Sequence, residues 1–156
     1  MFNPYTGVIA VFCTRLMNWL APFLYEDGEQ TRDLCYVGDV ARACLLAAES
    51  DRLDGQAVNV GTGKPTSVRR LAEILSDLLN ARIQPEVPGA YRPGEMRALT
   101  PDISLAEAAG FQPAVTLEDG LARYVRWLRQ QGAVAEAFGQ SLDRLRSRRM
   151  VRQVAS

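Results

Sequence analysis

Apolar residues recur at helical spacing in several stretches of the chain. Val8, Ile9, Phe12, Leu16, Trp19 and Leu20 mark one face of a first helix, closed by Pro22. Met1–Thr6 before it reads as loop, with Asn3-Pro4 favouring a turn. Phe23–Tyr25 is a short strand candidate, and Leu34–Val37 is a second run of strand formers. Asp39 then stands where a side chain can accept the first free amides of a helix from Val40 to about Glu49. Ala, Val, Cys and Leu lie almost all the way round that helix, which predicts burial on most sides.

Further along, Asp54-Gly55 turns the chain into an apolar strand over Ala57–Val60. Thr66 or Ser67 caps the clearest amphipathic helix, with Val68, Leu71, Ala72, Leu75, Leu78 and Leu79 on one face. Ile83–Val87 reads as another strand, followed by a loop punctuated by Pro88, Gly89, Pro93 and Gly94. Asp102 can cap a short helix ending at Gly110. Thr116 with Asp119 three residues on resembles a capping box for a helix through Leu117, Leu121, Tyr124, Val125 and Leu128, ending near Gly132. The last segment, 133–156, changes character. Arg144, Arg146, Arg148, Arg149 and Arg152 outnumber its acids, while Phe138, Leu142 and Leu145 keep helical spacing, predicting a basic amphipathic or frayed tail.

Charge narrows the function. Eighteen basic residues balance eighteen acidic ones, so no net field draws the chain to nucleic acid or to an acidic membrane surface. No apolar run reaches membrane-spanning length, and the N-terminus lacks a signal pattern. There is no histidine, and Cys13, Cys35 and Cys44 have no metal-ligand spacing, which fits a cytoplasmic protein with reduced thiols.

Candidate chemistry is confined to a few places. Arg32 and Asp33 are charged residues at the entry to a core, readable either as a structural ion pair or as a guanidinium fork for a phosphate or carboxylate. Tyr25 can place a ring beside Arg32. Tyr91, Arg92, Glu95 and Arg97 crowd polar side chains into one Gly/Pro-rich loop, a common setting for binding. Two phosphate-loop patterns fail at Gly61–Ser67. Lys64 is followed by Pro65 rather than Ser or Thr, and the third glycine of a dinucleotide fingerprint is replaced by Thr66.

Taken in order, NPYTGVIAVFCTRL, EDGEQTRDLCYVGDVARA, NVGTGKPTSVRRLAEIL, YRPGEMRALTPDISLAEAAGF and TLEDGLARYVRWL resemble the C-terminal half of the extended short-chain dehydrogenase/reductases. Within these the likeness is to the NAD-dependent nucleotide-sugar epimerases and dehydratases. The resemblance implies an α/β, Rossmann-type fold, with residues 1–132 as the substrate-binding portion. It also implies that Arg32 and Arg92 clamp a substrate diphosphate, that Glu95 stands where an Asp accepts hydrogen bonds from the ribose hydroxyls, and that Tyr25 packs on the base. Leu34, Gly38 and Trp19-Leu20 depart from the family pattern, where an aromatic, a polar residue and a Gly-Lys turn are usual.

The family's glycine-rich NAD turn and its Tyr-x-x-x-Lys pair do not occur in this sequence. NAD is therefore the implied cofactor, bound outside these residues, and no catalytic residue is assigned. The partners implied are a nucleotide-diphosphate sugar and either a second copy or a separate NAD-binding half. Two readings stay open: the substrate-binding portion of a UDP-glucose 4-epimerase-like enzyme, or a stand-alone nucleotide-sugar binding module. A non-functional truncated product is a third.

Overall fold

The computed structural model describes residues 7–132 and 135–153. The expectations for Met1–Thr6 lie outside these. Its core is a layer of three helices: α1 (Val8–Met17), α3 (Val68–Leu79) and α5 (Leu117–Gln130). Phe12, Cys13, Leu16, Leu71, Ala72, Leu75, Leu121, Val125 and Leu128 are buried together there with Leu24. Two of these helices start where their caps predict. The Ser67 hydroxyl accepts from the amide of Arg70 at the head of α3, and Thr116 Oγ1 accepts from Asp119 N at the head of α5. Burial in this layer pushes the Cys13 thiol up to about 12, so it is an inert core residue.

The strands are shorter than the sequence suggests, and the central one lies elsewhere. β1 is Thr31–Arg32, upstream of the predicted Leu34–Val37. It pairs antiparallel with β2 (Thr66–Ser67) and parallel with β4 (Ala98–Leu99). A second antiparallel pair joins β3 (Ala90–Tyr91) to β5 (Arg152–Gln153). The predicted strands at Phe23–Tyr25 and Ile83–Val87 reduce to one parallel bridge, Phe23 to Glu86. At Ile83 the reason is local: the Ser76 hydroxyl donates to the Ile83 carbonyl and accepts from its amide, taking groups a neighbouring strand would use. Ala57–Val60 is not a strand either, since no ladder partner lies beside it among the described residues.

Helix α2 (Val37–Glu49) corrects two expectations. It begins three residues earlier than predicted, with Tyr36 as its N-cap, so Asp39 lies inside the first turn. Nor is it buried on most sides, for only Asp39 and Ala43 are buried along its length. Val37 and Leu45 are 73% and 63% exposed, and Ala41, Cys44 and Ala48 continue the same exposed stripe. One side of α2 does pack, with Ala43 and Leu46 against Val58, Val60, Ala106 of α4 (Ser104–Ala108) and Phe111. Among the described residues nothing covers the other side.

The C-terminal segment is better organised than a frayed tail. It forms α6 (Phe138–Ser147) and then β5. Leu142 and Val151 are buried with Phe23 and Ala90 in a second core, flanked by Tyr25, Phe138 and Leu145. The amphipathic spacing is as expected, but the apolar face packs on the molecule itself.

Four helices end in the same doubly hydrogen-bonded turn with a left-handed residue. Asn80 and Gly110 suit that conformation; Trp19 (φ 59°) and Arg149 (φ 56°) do not. After α1, Leu20 N bonds Arg15 O and Trp19 N bonds Leu16 O, so Trp19 is forced left-handed where a glycine is ordinarily placed.

Candidate functional site

Tyr25, Arg32, Arg92 and Glu95 line one cavity of about 320 Å³, closed by Val8, Val11 and Phe12 from α1, Val68 from α3 and Phe138 from α6. Arg32 enters on β1, the middle strand of its sheet. Its guanidinium donates to Glu95 Oε1 at 3.2 Å and to its own neighbour's carbonyl, Thr31 O, at 2.7 Å. Both side chains of the Arg32–Glu95 pair keep partial exposure, 24% and 32%, so the pair faces the cavity rather than closing it.

Arg92 follows β3 directly. Its guanidinium carbon sits 4.9 Å from the centroid of the Tyr25 ring, a stacked cation–π arrangement. The Arg92 Nε and the Tyr25 hydroxyl are buried without a hydrogen-bond partner. Unpaired buried donors carry a desolvation penalty.

The loop holding Arg92 and Glu95 is fixed at both ends. β3 before it pairs with β5, and β4 after it pairs with β1. Arg97 adds a surface clasp, donating to Glu26 Oε2 and to both carboxylate oxygens of Asp27. That bidentate contact, ahead of the Glu29 amide, holds the Asp27 carboxyl well below the ordinary range and raises the Arg97 guanidinium. Arg97 is thus committed to the loop and leaves the cavity to Arg92.

Asp33 does not pair with Arg32. Its carboxylate turns the other way and accepts from the Thr62 and Gly63 amides at 2.7 and 2.8 Å, and from the Thr62 hydroxyl. A Cβ on Gly61 would meet Asp33 Oδ2 at 2.5 Å and Pro101 at 2.7 Å, so only glycine admits this carboxylate. The Gly-Thr-Gly turn therefore spends its amide donors inside the protein. It offers no cradle for a dinucleotide phosphate, so this turn does not fit NAD.

Gln30 is the cavity residue that sequence reasoning missed. It is 5% exposed, its amide donates to Tyr25 O at 2.8 Å, and its Oε1 is buried without a partner. The only sequence signal is its place in the Gln-Thr-Arg-Asp run beside Arg32. Phe138 was visible as a helix-face residue, but nothing in the pattern aimed it at this cavity.

A larger apolar cavity of about 740 Å³ meets the first at Gly7 and Val8 and extends between the start of α1, residues 33–37 and α5. Leu34, Tyr36, Val37, Leu121, Tyr124 and Trp127 are among its walls, and Trp127 is half exposed. Gly38, a departure from the family pattern, has a role beside it. A Cβ there would meet the Tyr36 ring at 2.7 Å, and that ring lies under the Arg123 guanidinium at 5.0 Å.

Comparison with known proteins agrees with the family that the resemblance names. Residues 3–61 match the NAD dependent epimerase/dehydratase family. A protein of Methanocaldococcus jannaschii assigned as a UDP-glucose 4-epimerase is 37% identical over 79% of this chain and 39% of its own length. The UDP-glucose 4-epimerase of Thermotoga maritima, solved with UDP-glucose, is 35% identical with a TM-score of 0.75, over 83% of this chain and 42% of that one. The UDP-N-acetylglucosamine 4-epimerase of Methanobrevibacter ruminantium, solved with UDP-N-acetylmuramic acid, is 37% identical with a TM-score of 0.76, over 83% and 41%. The architecture is thus an α/β fold matching part of the epimerase structures, and the chain spans about two fifths of the length of these relatives.

Proposed function

This chain is a partial-length relative of the NAD-dependent epimerase/dehydratase family, and on that premise we propose that it is the family's substrate-binding portion, gripping the diphosphate of a nucleotide sugar. Residues 1–132 supply the family scaffold. Arg32 and Arg92 hold the diphosphate, Glu95 accepts from the ribose hydroxyls, and Tyr25 packs beside the base. The observation that carries this reading is that the four side chains, from two stretches about sixty residues apart, line one cavity. A guanidinium suits a phosphate oxygen, which accepts in the plane of the fork.

On this reading the chain binds and orients the sugar nucleotide but performs no redox step itself. The redox chemistry at the sugar would be supplied by NAD held on a second structural half. The tyrosine and lysine of that chemistry belong to the same half. The exposed stripe of α2, the unpaired stretch 57–60 and the 740 Å³ apolar cavity support this division, because all three present apolar surface that a covering layer would bury.

Calorimetric titration with UDP and dTDP tests the proposal. Micromolar binding is expected for the chain, weakened by Arg32→Ala or Arg92→Ala by roughly 1.5 to 3 kcal/mol each, the loss of one charge-assisted contact. Binding that neither substitution changes would refute the assignment.

A further inference from the structure

The C-terminal segment lies beyond the last stretch that carries the family resemblance, yet it reaches the cavity from two directions. From α6, Phe138 forms part of the wall. From β5, Arg152 pairs with Tyr91, the residue immediately before Arg92.

An unbroken series of ring contacts connects the two. The Phe138 ring lies 5.5 Å from Phe23, Phe23 lies 5.1 Å edge-on from Tyr25, and Arg92 stacks on Tyr25 at 4.9 Å. At the far end Arg15 fixes the series. Its guanidinium sits 5.2 Å over Phe138 while donating to the Ala21 carbonyl at 2.6 Å and to Glu86 at 3.2 Å, with Glu136 at 3.9 Å. Leu142 and Val151 bury the rest of the segment against Phe23 and Ala90.

Building on the function proposed above, we propose that Phe138 and the α6–β5 segment are a positioning element for Arg92, so that segment docking and nucleoside-diphosphate binding favour one another. A free arginine loses several rotamers when it grips a phosphate. One held on Tyr25 by packed neighbours has already lost them, which raises affinity without a new ligand contact. Linkage makes the effect reciprocal: a diphosphate that immobilises Arg92 stabilises the ring series and hence the segment.

Two measurements on the full chain test this. In a double-mutant cycle read by UDP titration, Phe138→Ala weakens binding roughly five- to tenfold, the scale of a lost aromatic contact. The same change made in the Arg92→Ala background costs nothing further, and Phe138→Tyr restores wild-type affinity. Independent additive losses would overturn the proposal, because they would mean that Phe138 acts on the ligand or the fold without Arg92.

The second measurement needs no folded Phe138 variant. Trypsin cleavage at Arg144, Arg146, Arg148 and Arg149 is slowed by UDP in the wild type and not slowed in Arg92→Ala. If UDP binds and Arg92→Ala weakens it, but cleavage of the segment ignores the ligand, the inference fails and the function stands. If UDP does not bind the wild-type chain at all, both fall together.

Discussion

Two cavities of this molecule are built to different degrees of completion. The smaller one, around Arg32 and Arg92, has every wall supplied by this chain, from α1, β1, the 92–95 turn and α6, and its polar groups converge on a shared space. The larger lies beside an α2 helix that shows solvent a stripe of Val, Ala, Cys and Leu, and a stretch, 57–60, with no ladder partner. One region is a cavity lined by charged and aromatic side chains; the other has the composition of a core with one layer missing. The contrast is the one expected of the proposed division, in which recognition and catalysis are packaged in different residues.

Asp39 fastens α2 within the second region, and cutting that tie is expected to give the largest effect. Its carboxylate is 2% exposed and accepts from Ala114 N, Val115 N and Arg42, fastening α2 to the loop before α5. Burial pushes this carboxyl up, but the Val115 amide, Arg42 and the Ala114 amide outweigh it and hold it below the ordinary range. Asp39→Ala leaves two part-buried amides without their acceptor and should cost about 2 kcal/mol in urea unfolding. Because the folded value is lowered, the contribution is complete above the ordinary aspartate value of about 4 and disappears as pH falls through the folded one. Acid titration of stability should therefore show a drop below about pH 4 that Asp39→Asn reduces. A variant as stable as wild type at neutral pH would show that α2 is held by something else.

A smaller effect of opposite sign is expected at the end of α1. Trp19 is 75% exposed, so it packs little, and its φ of 59° is strained for any residue with a Cβ. Trp19→Gly should stabilise the chain by about 0.5 to 1 kcal/mol, the strain relieved less the added freedom of the unfolded chain. In a melt this reads as a rise of about 2 to 4 °C per kcal/mol. The cavity lies away from this turn, so UDP affinity should not follow; a fall in stability would instead mean that the indole makes a contact worth more than the strain.

The sequence was most legible where a single side chain decides the outcome locally. Ser67 and Thr116 start α3 and α5 because each accepts one free amide, and the amphipathic faces behind them had to form the core. Two-residue strands such as β1 carry no periodicity to read, since their position depends on which distant segments meet. The burial of α2 was misread for a related reason. Apolar composition states that a helix has a partner, not that the partner lies within these residues. At the candidate site, Arg32 and Arg92 could be picked out by chemistry and by resemblance. Gln30 and Phe138 could not, because a buried glutamine and a helix-face phenylalanine acquire a place in the cavity only through the tertiary fold.

The smallest change in stability should produce the clearest separation of the two regions. Val37 and Leu45 project from the exposed stripe of α2 and make no part of the Arg32 cavity. Replacing both by Glu removes apolar surface from water without breaking a packed contact, so unfolding free energy should move by no more than about 0.5 kcal/mol. Association is a different quantity. An uncovered apolar face of this kind drives self-association, so the wild-type chain should sediment with a concentration-dependent mass. The Val37→Glu, Leu45→Glu chain should sediment as a monomer and bind UDP with unchanged affinity. If the double variant still associates, the adhesive surface lies elsewhere, at Trp127 or along 57–60. If it loses UDP binding as well, the pocket and the unfinished face are coupled, and the division drawn between them is wrong.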